Sequence, residues 1–171
     1  MTTGDYIRCI SGFLNSIGIP VLHKALPDDT FLPGIRIEHG SLAIAPNKLK
    51  HPGDMLHEAG HIASMAPSAR KTAFADAGGD MGEEIAAQAW SYAASVACGI
   101  PAEIVLHQEG YKGSATWLKE HYEGKECIAG LPLLAWYGLT SAPGMPNHKE
   151  LPAFPAMGSW LRAHDNPSQA P

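Results

Sequence analysis

The stretch from Gly82 to Cys98 constrains the fold most, because it is rich in alanine and contains no helix breaker until Gly99 and Pro101. It predicts one long helix. Four polar residues recur along it at i, i+4, i+7 and i+11, namely Glu84, Gln88, Ser91 and Ser95. Such a stripe, on a helix otherwise rich in alanine and aromatic residues, predicts that something polar lies opposite it.

A second helix is predicted between Pro52 and Ala66. Its apolar residues recur at i, i+4, i+7 and i+11, namely Met55, Ala59, Ile62 and Ala66. Pro52 can start a helix, and Pro67 is placed to end this one. The spacing therefore predicts an amphipathic helix of about four turns.

The other patterns are mixed but mostly helical. The chain opens with an amphipathic helix from about Tyr6 to Ile17, with Thr3 as its predicted cap, and the alternating residues 35–44 predict a β-hairpin that turns at His39 and Gly40. Further predicted elements are short helices at 102–108, at 115–122 behind Ser114 as a cap, and at 133–137, and a glycine-rich loop at 77–79. We expect an α+β, mostly helical fold with helices beside a small β-hairpin or sheet.

The 171 residues have the length of one compact domain. We expect this domain to cover residues 1–161 and to include a proline-rich segment from about residue 142, in which no regular element can persist. Residues 162–171 are expected to form a mobile tail.

Charge and cysteine content limit the compartment and the ligands. A net charge of −5 and a pI near 5.9 supply no basic field, so we expect neither nucleic acid nor a membrane as a partner. Cys9, Cys98 and Cys127 are far apart and contain no CxxC pair, so neither a disulfide framework nor a thiolate zinc site is expected. No leader or membrane-spanning run is visible, which favours a cytoplasmic protein. The oligomeric state is not predicted.

The segment His57-Glu58-Ala59-Gly60-His61 carries the predicted chemistry. On a helix, residues four apart project from one face, so His57 and His61 can share one metal ion. Glu58 is rotated about 100° from His57, so it can lie beside the ion without ligating it and take a proton from the metal-bound water. The pattern predicts a zinc site with Glu58 as general base.

A catalytic zinc ion usually has three protein ligands and one open position, so a third ligand is required. Glu84 is the predicted ligand and Glu83 is the alternative, and Gln88 could hydrogen-bond a ligand histidine or Glu84. Zn²⁺ is the expected cofactor, although a site of two histidines and one glutamate also suits iron or manganese.

The HEAGH segment together with Glu84-Ile85-Ala86-Ala87-Gln88-Ala89-Trp90 resembles the gluzincin peptidases, and most closely the ImmA/IrrE family. That family pairs HExxH with a later helix of the form ExxANxFA; Gln88 stands where the family has Asn, and Ser91 stands at the last Ala. The resemblance covers about residues 35 to 98. It implies zincin-like helices that pack beside a small sheet, and a peptidase that acts on an intracellular protein.

The predicted function is therefore that of a zinc-dependent metallopeptidase acting on a protein or peptide substrate. Two alternatives remain open: a non-catalytic zinc-binding regulatory protein, and a metal-dependent amidohydrolase that acts on a small molecule. Residues of suitable type to stabilise an oxyanion are Tyr111, His107, His121 and Tyr92, and none is assigned that role. Three further histidines, His39, His51 and His148, are interpreted as structural rather than metal-binding.

Overall fold

The chain is described by a computed structural model that covers residues 1–75, 80–111, 114–124, 128–145 and 150–166. About 47% of the described residues are helical, and they accompany a small mixed sheet of four strands. The predicted α+β class, with helices predominating, is therefore confirmed. The predicted glycine-rich loop at 77–79, Cys127 and His148 lie outside the described residues.

Eight helices and four strands are found in the described part of the chain. The helices are α1 (Thr3–Ser16), α2 (Asp54–Ser64), α3 (Pro67–Thr72), α4 (Met81–Cys98), α5 (Ala102–Val105), α6 (Gln108–Tyr111), α7 (Ala115–Glu123) and α8 (Leu131–Trp136). The strands are β1 (Val21–His23), β2 (Ile35–Glu38), β3 (Ser41–Ile44) and β4 (Phe74–Ala75). Both helices that carry the predicted metal ligands, α2 and α4, form where the sequence predicts them.

The sheet is built around the predicted hairpin. Strands β2 and β3 pair antiparallel, and both turn residues have positive φ, 51° at His39 and 81° at Gly40, as a tight primed turn requires. The strand order is β1-β3-β2-β4, with β1 parallel to β3 and β4 antiparallel to β2. Neither outer strand was predicted, and β4 is an edge strand only two residues long.

Helices α2 and α4 pack closely because a glycine lies at their crossing. A Cβ atom on Gly60 would lie 2.6 Å from the carbonyl oxygen of Ala87, which is closer than any ordinary contact. The absence of a side chain at Gly60 therefore allows the two helix backbones to approach one another. Trp90, one turn further along α4, is fully buried in the core beside this contact.

One predicted helix cap is wrong, whereas Ser114 stands at the N-cap of α7 and Pro67 follows the second helix as predicted, each with a difference in detail. The cap of α1 is Thr2, whose hydroxyl accepts from Asp5 N and whose backbone N–H donates to the Asp5 carboxylate, and not Thr3. Ser114 makes no side-chain capping bond to α7. Pro67 follows the second helix and also begins the next one. It occupies the first turn of α3, where the missing N–H group of proline costs nothing.

The single helix predicted at 102–108 is instead two four-residue helices, α5 and α6. They are separated at Leu106 and His107. The His107 ring accepts a hydrogen bond from the backbone N–H of Gly110 and pairs with Asp54 on α2, so the chain turns towards α2 here.

The C-terminal segment is irregular but attached. From residue 142 onward the described residues contain no helix or strand, as the prolines predict. Trp90 Nε1 donates to the Trp160 carbonyl at 3.0 Å, and Arg162 N donates to the Ala63 carbonyl at 3.0 Å. Asp165 accepts from Ser68 N at 2.9 Å, so contacts with the domain continue past residue 161. The mobile tail predicted for residues 162–171 stays a prediction, and residues 167–171 lie outside the described range.

Within the described ranges, the helices are too short or too polar to cross a membrane.

Candidate metal centre

His57 and His61 project from the same face of α2 towards the start of α4. Their Nε2 atoms are 3.2 Å apart. The carboxylate of Glu84 faces both rings, with Oε1 3.4 Å from His57 Nε2 and Oε2 3.2 Å from His61 Nε2. The structure therefore brings together the three residues that the sequence predicted as metal ligands.

The spacing of these atoms matches the geometry of a zinc ion. With bonds of about 2.0–2.1 Å and tetrahedral angles, two ligand atoms on zinc lie about 3.3 Å apart. The three observed separations, 3.2, 3.2 and 3.4 Å, agree with that value. The Glu84 carboxylate presents a different oxygen to each ring, so the two ring nitrogens and this carboxylate converge at separations close to those of ligands on one ion.

Glu84 and Glu83 differ clearly in position. Asp80 caps α4 by accepting from the backbone N–H groups of Gly82 and Glu83, and the Glu83 side chain is exposed and does not line the cavity beside the histidines. Gln88, one turn after Glu84, donates from Nε2 to Glu84 Oε1 at 3.1 Å. The geometry favours Glu84 over Glu83 and gives Gln88 the orienting contact anticipated for it.

The polar stripe on α4 divides into two parts. Glu84 and Gln88 face the histidines, whereas Ser91 and Ser95 are fully buried and donate to carbonyls of their own helix. Serine in a helix interior often makes this local bond. The polar neighbour predicted for the stripe is therefore present only at its N-terminal end.

The charges of the three groups are coupled. Hydrogen bonds from His57 and then His61 hold the pKa of Glu84 well below its ordinary value. Burial lowers the pKa of His57, but the facing Glu84 carboxylate outweighs burial, and the net shift is upward. Two ring nitrogens and a carboxylate that converge in this way can be held by hydrogen bonds or by a shared cation.

Glu58 lies beside the three ligand atoms. Its side chain is only 8% exposed, and burial is the largest effect that raises the pKa of its carboxyl group, against the opposing pull of His57 and His61. A raised pKa suits a carboxylate that must accept a proton near neutral pH.

A second set of ligand atoms is available. One ligand atom from each of His57, Glu58 and His61 lies within 4.8 Å of the others, so this trio could also hold an ion. The Glu84 oxygens, at 3.2 and 3.4 Å from the ring nitrogens, already have tetrahedral spacing. These distances favour Glu84 over Glu58 as the third ligand if an ion is bound, and Glu84 stays the predicted ligand.

The site opens into a cavity of about 590 Å³. The polar wall contains Asp54, Glu58 and both histidines, and the opposite wall is apolar and includes Leu32 and Ile35. Phe31 and Met81 stand at the rim and are 83% and 72% exposed, so the cavity is open to solvent.

Of the four residues considered as oxyanion donors, only Tyr111 lines this cavity. Its hydroxyl is 3.3 Å from His57 Nδ1. His107 pairs with Asp54 at 2.7 Å, next to the site. His121 stacks on Trp117, and Tyr92 stacks on Tyr122, so both face other surroundings.

The histidines interpreted as structural have structural contacts. His39 forms the hairpin turn and contacts the Lys71 carbonyl, and His51 pairs with Glu109 and stacks on His107. Neither ring lines the cavity among the described residues.

No known protein family matches the chain, and comparisons with curated proteins and with solved structures likewise return no significant match. The resemblance to the ImmA/IrrE family therefore rests on the sequence motifs alone.

Proposed function

We propose that this protein is a zinc-dependent metallopeptidase that hydrolyses peptide bonds of an intracellular protein or peptide. The observation that carries the proposal is the convergence of His57 Nε2, His61 Nε2 and the Glu84 carboxylate: the ring nitrogens are 3.2 Å apart, and each lies 3.2–3.4 Å from one of the two carboxylate oxygens. Under the proposal, α2 and α4 are the HExxH and glutamate helices of a zincin-like fold, as in the gluzincins.

The ligand set leaves one position open, which is typical of catalytic rather than structural zinc sites. A divalent ion held there would polarise a carbonyl group and lower the pKa of a bound water. Glu58, buried beside the open position, would accept the proton of the attacking water and return it to the leaving amine. A purely structural zinc site has no use for such a carboxylate, which is why we favour an enzyme over a non-catalytic zinc protein.

The strand edge beside the cavity favours a peptide substrate over a small molecule. Ala75, in the edge strand β4, lines the cavity, so an unpaired strand edge lies next to the proposed metal ligands. An extended peptide can pair with such an edge. The volume of about 590 Å³ also falls within the range of small-molecule sites, so an amidohydrolase is the second candidate.

The first test is the metal content of purified protein, measured by elemental analysis. We expect about one equivalent of zinc in the wild type and in Glu58→Gln, and little in His57→Ala or Glu84→Ala. Glu83→Gln is the matched control, because it removes the exposed neighbouring carboxylate and should keep the metal. Full metal in Glu84→Ala, or a wild type that binds none after reconstitution, would refute the assignment.

The second test separates the candidate activities. The zinc-loaded wild type should cleave members of a peptide library, and Glu58→Gln should bind zinc equally but lose cleavage by at least about 100-fold. Cleavage of small amides alone would favour the amidohydrolase. If the wild type and Glu58→Gln both bound zinc but hydrolysed peptides and small amides only at the background rate, the non-catalytic alternative would be favoured.

A further inference from the structure

We propose that Tyr111 is a positioning residue for the metal ligand His57, and that the Asp54–His107 pair holds Tyr111 in place. The inference rests on the proposed metal site and adds a set of orienting residues to it. Tyr111 lies on α6, whereas Asp54 and His57 are both on α2. Two contacts therefore attach α6 to the metal-binding helix, one at each of these positions.

The first contact fixes the protonation of the His57 ring. Nε2 of His57 faces Glu84 and His61, so a neutral ring that ligates through Nε2 must carry its proton on Nδ1. The Tyr111 hydroxyl oxygen is 3.3 Å from that Nδ1 and is able to accept the proton's hydrogen bond. Ligand histidines almost always make such a bond through their other ring nitrogen, and it sets both the tautomer and the direction of the ring.

The second contact holds α6. The backbone N–H of Gly110 donates to His107 Nδ1 at 3.1 Å, so Nδ1 is an acceptor and the ring proton lies on Nε2. That Nε2–H donates to Asp54 Oδ1 at 2.7 Å. The two side chains are 12% and 13% exposed, so water competes weakly for this bond. His107 thus fixes the chain just before Tyr111 to the first residue of α2.

A purely packing role for Tyr111 predicts a different result. Its ring stands edge-on to the His57 ring, and a phenylalanine would preserve that contact while removing only the hydroxyl group. If the hydroxyl orients His57, its loss leaves Nδ1–H without its acceptor and allows the ring to turn away from the metal. Metal affinity should then fall although the fold is unchanged.

Tyr122 provides a matched control. It is also a buried tyrosine, but its hydroxyl has no hydrogen-bond partner among the described residues, and it does not line the metal cavity. Tyr122→Phe removes the same atom from a buried site that has no contact with a ligand histidine. It should therefore leave zinc affinity unchanged.

The experiment measures the zinc dissociation constant by competition with a chromophoric chelator, and the thermal unfolding midpoint of each metal-free protein. We expect Tyr111→Phe to weaken zinc binding by about 10–100-fold, with the metal-free midpoint unchanged. If the zinc dissociation constant of Tyr111→Phe lay within twofold of that of Tyr122→Phe, the proposal would be overturned. Absence of zinc from the wild type would overturn the metal site as well, so the two failures are distinguishable.

A double-mutant cycle tests the Asp54–His107 pair. His107→Phe keeps an aromatic ring against His51 but makes neither hydrogen bond. If His107 acts through Tyr111, then His107→Phe should weaken zinc binding, and its combination with Tyr111→Phe should weaken binding no further than Tyr111→Phe alone. Fully additive losses would overturn the assignment of His107.

Discussion

Gly60 is the residue on which the geometry of the proposed metal site depends most directly, although its side chain is only a hydrogen atom. It lies between the two ligand histidines and faces the backbone of α4 at Ala87. An added Cβ would lie 2.6 Å from the Ala87 carbonyl oxygen and 3.0 Å from its Cα. Because these atoms belong to a helix backbone, no side chain can rotate to relieve the clash.

The size of the effect follows from these distances. Ordinary contact begins at about 3.4 Å, so a Gly60→Ala substitution requires α2 and α4 to separate by about 0.8 Å. Overpacking of this kind costs about 1–3 kcal/mol, and alanine returns up to about 1 kcal/mol of helix propensity. With the full return, we expect a net loss of up to about 2 kcal/mol in the free energy of unfolding. The separations of 3.4 and 3.2 Å between the Glu84 oxygens and the two histidine rings would also lengthen to about 4 Å, beyond the tetrahedral spacing.

The assay is urea unfolding of the metal-free protein together with zinc titration. Gly12→Ala is the control, because Gly12 lies on the exposed face of α1 and an added Cβ there meets nothing within 4 Å. That substitution should stabilise the protein by up to about 1 kcal/mol and leave zinc affinity unchanged. Gly60→Ala should lower both the free energy of unfolding and the zinc affinity. If Gly60→Ala stabilised the protein as Gly12→Ala does, or bound zinc with wild-type affinity, the close approach would not control the site.

Three further substitutions test the framework. Arg70→Met removes the guanidinium group that donates to three carbonyls at the end of α2 and to the Arg162 carbonyl. It should lower the free energy of unfolding, measured in urea, by about 2–4 kcal/mol. A loss below about 0.5 kcal/mol would contradict the importance of these bonds. Asp80→Ala removes the side-chain cap of α4 and should lower the free energy of unfolding by about 1 kcal/mol. Asp80→Ser should retain most of the capping stabilisation, because serine is also a good cap. Tyr122→Phe should leave the unfolding free energy the same or slightly higher, because the buried hydroxyl it removes has no partner among the described residues, and a loss above about 1 kcal/mol would show that the hydroxyl has one.

The two central helices could be predicted because their patterns are local. The alanine-rich run of α4 and the apolar spacing of α2 depend only on neighbouring residues, and HExxH places two histidines on one face by helix geometry alone. The polar stripe on the predicted helix favours Glu84 over Glu83 as the third ligand. In the structure the Glu84 carboxylate lies against the rings of His57 and His61.

The elements that the sequence did not predict depend on distant partners. Strand β4 has two residues and exists only because Ile37 and Glu38 of β2 pair with it. Tyr111 could not be separated from three other candidates, because α6 is a single turn without periodicity and is held by contacts with Asp54 and His57. Such contacts leave no local signal.

Gly60 is an exception, since a clue was present. A glycine in the middle of a helix costs about 1 kcal/mol relative to alanine, so its presence there is compatible with a close contact, although Gly12 in α1 occupies such a position with open space around it. The motif alone does not show what it would meet. The partner is Ala87, 27 residues further along the chain.

The attachment of residues 160–165 to α2 and α4 has a consequence for the order in which the protein is made. Synthesis runs from the N-terminus, so both metal-binding helices leave the ribosome well before Trp160 and Arg162. Until then the fully buried Trp90 lacks the acceptor for its N–H group. The missing bond costs about 1–3 kcal/mol. The packing of α4, which carries Glu84, is therefore completed only after residue 160 has been made.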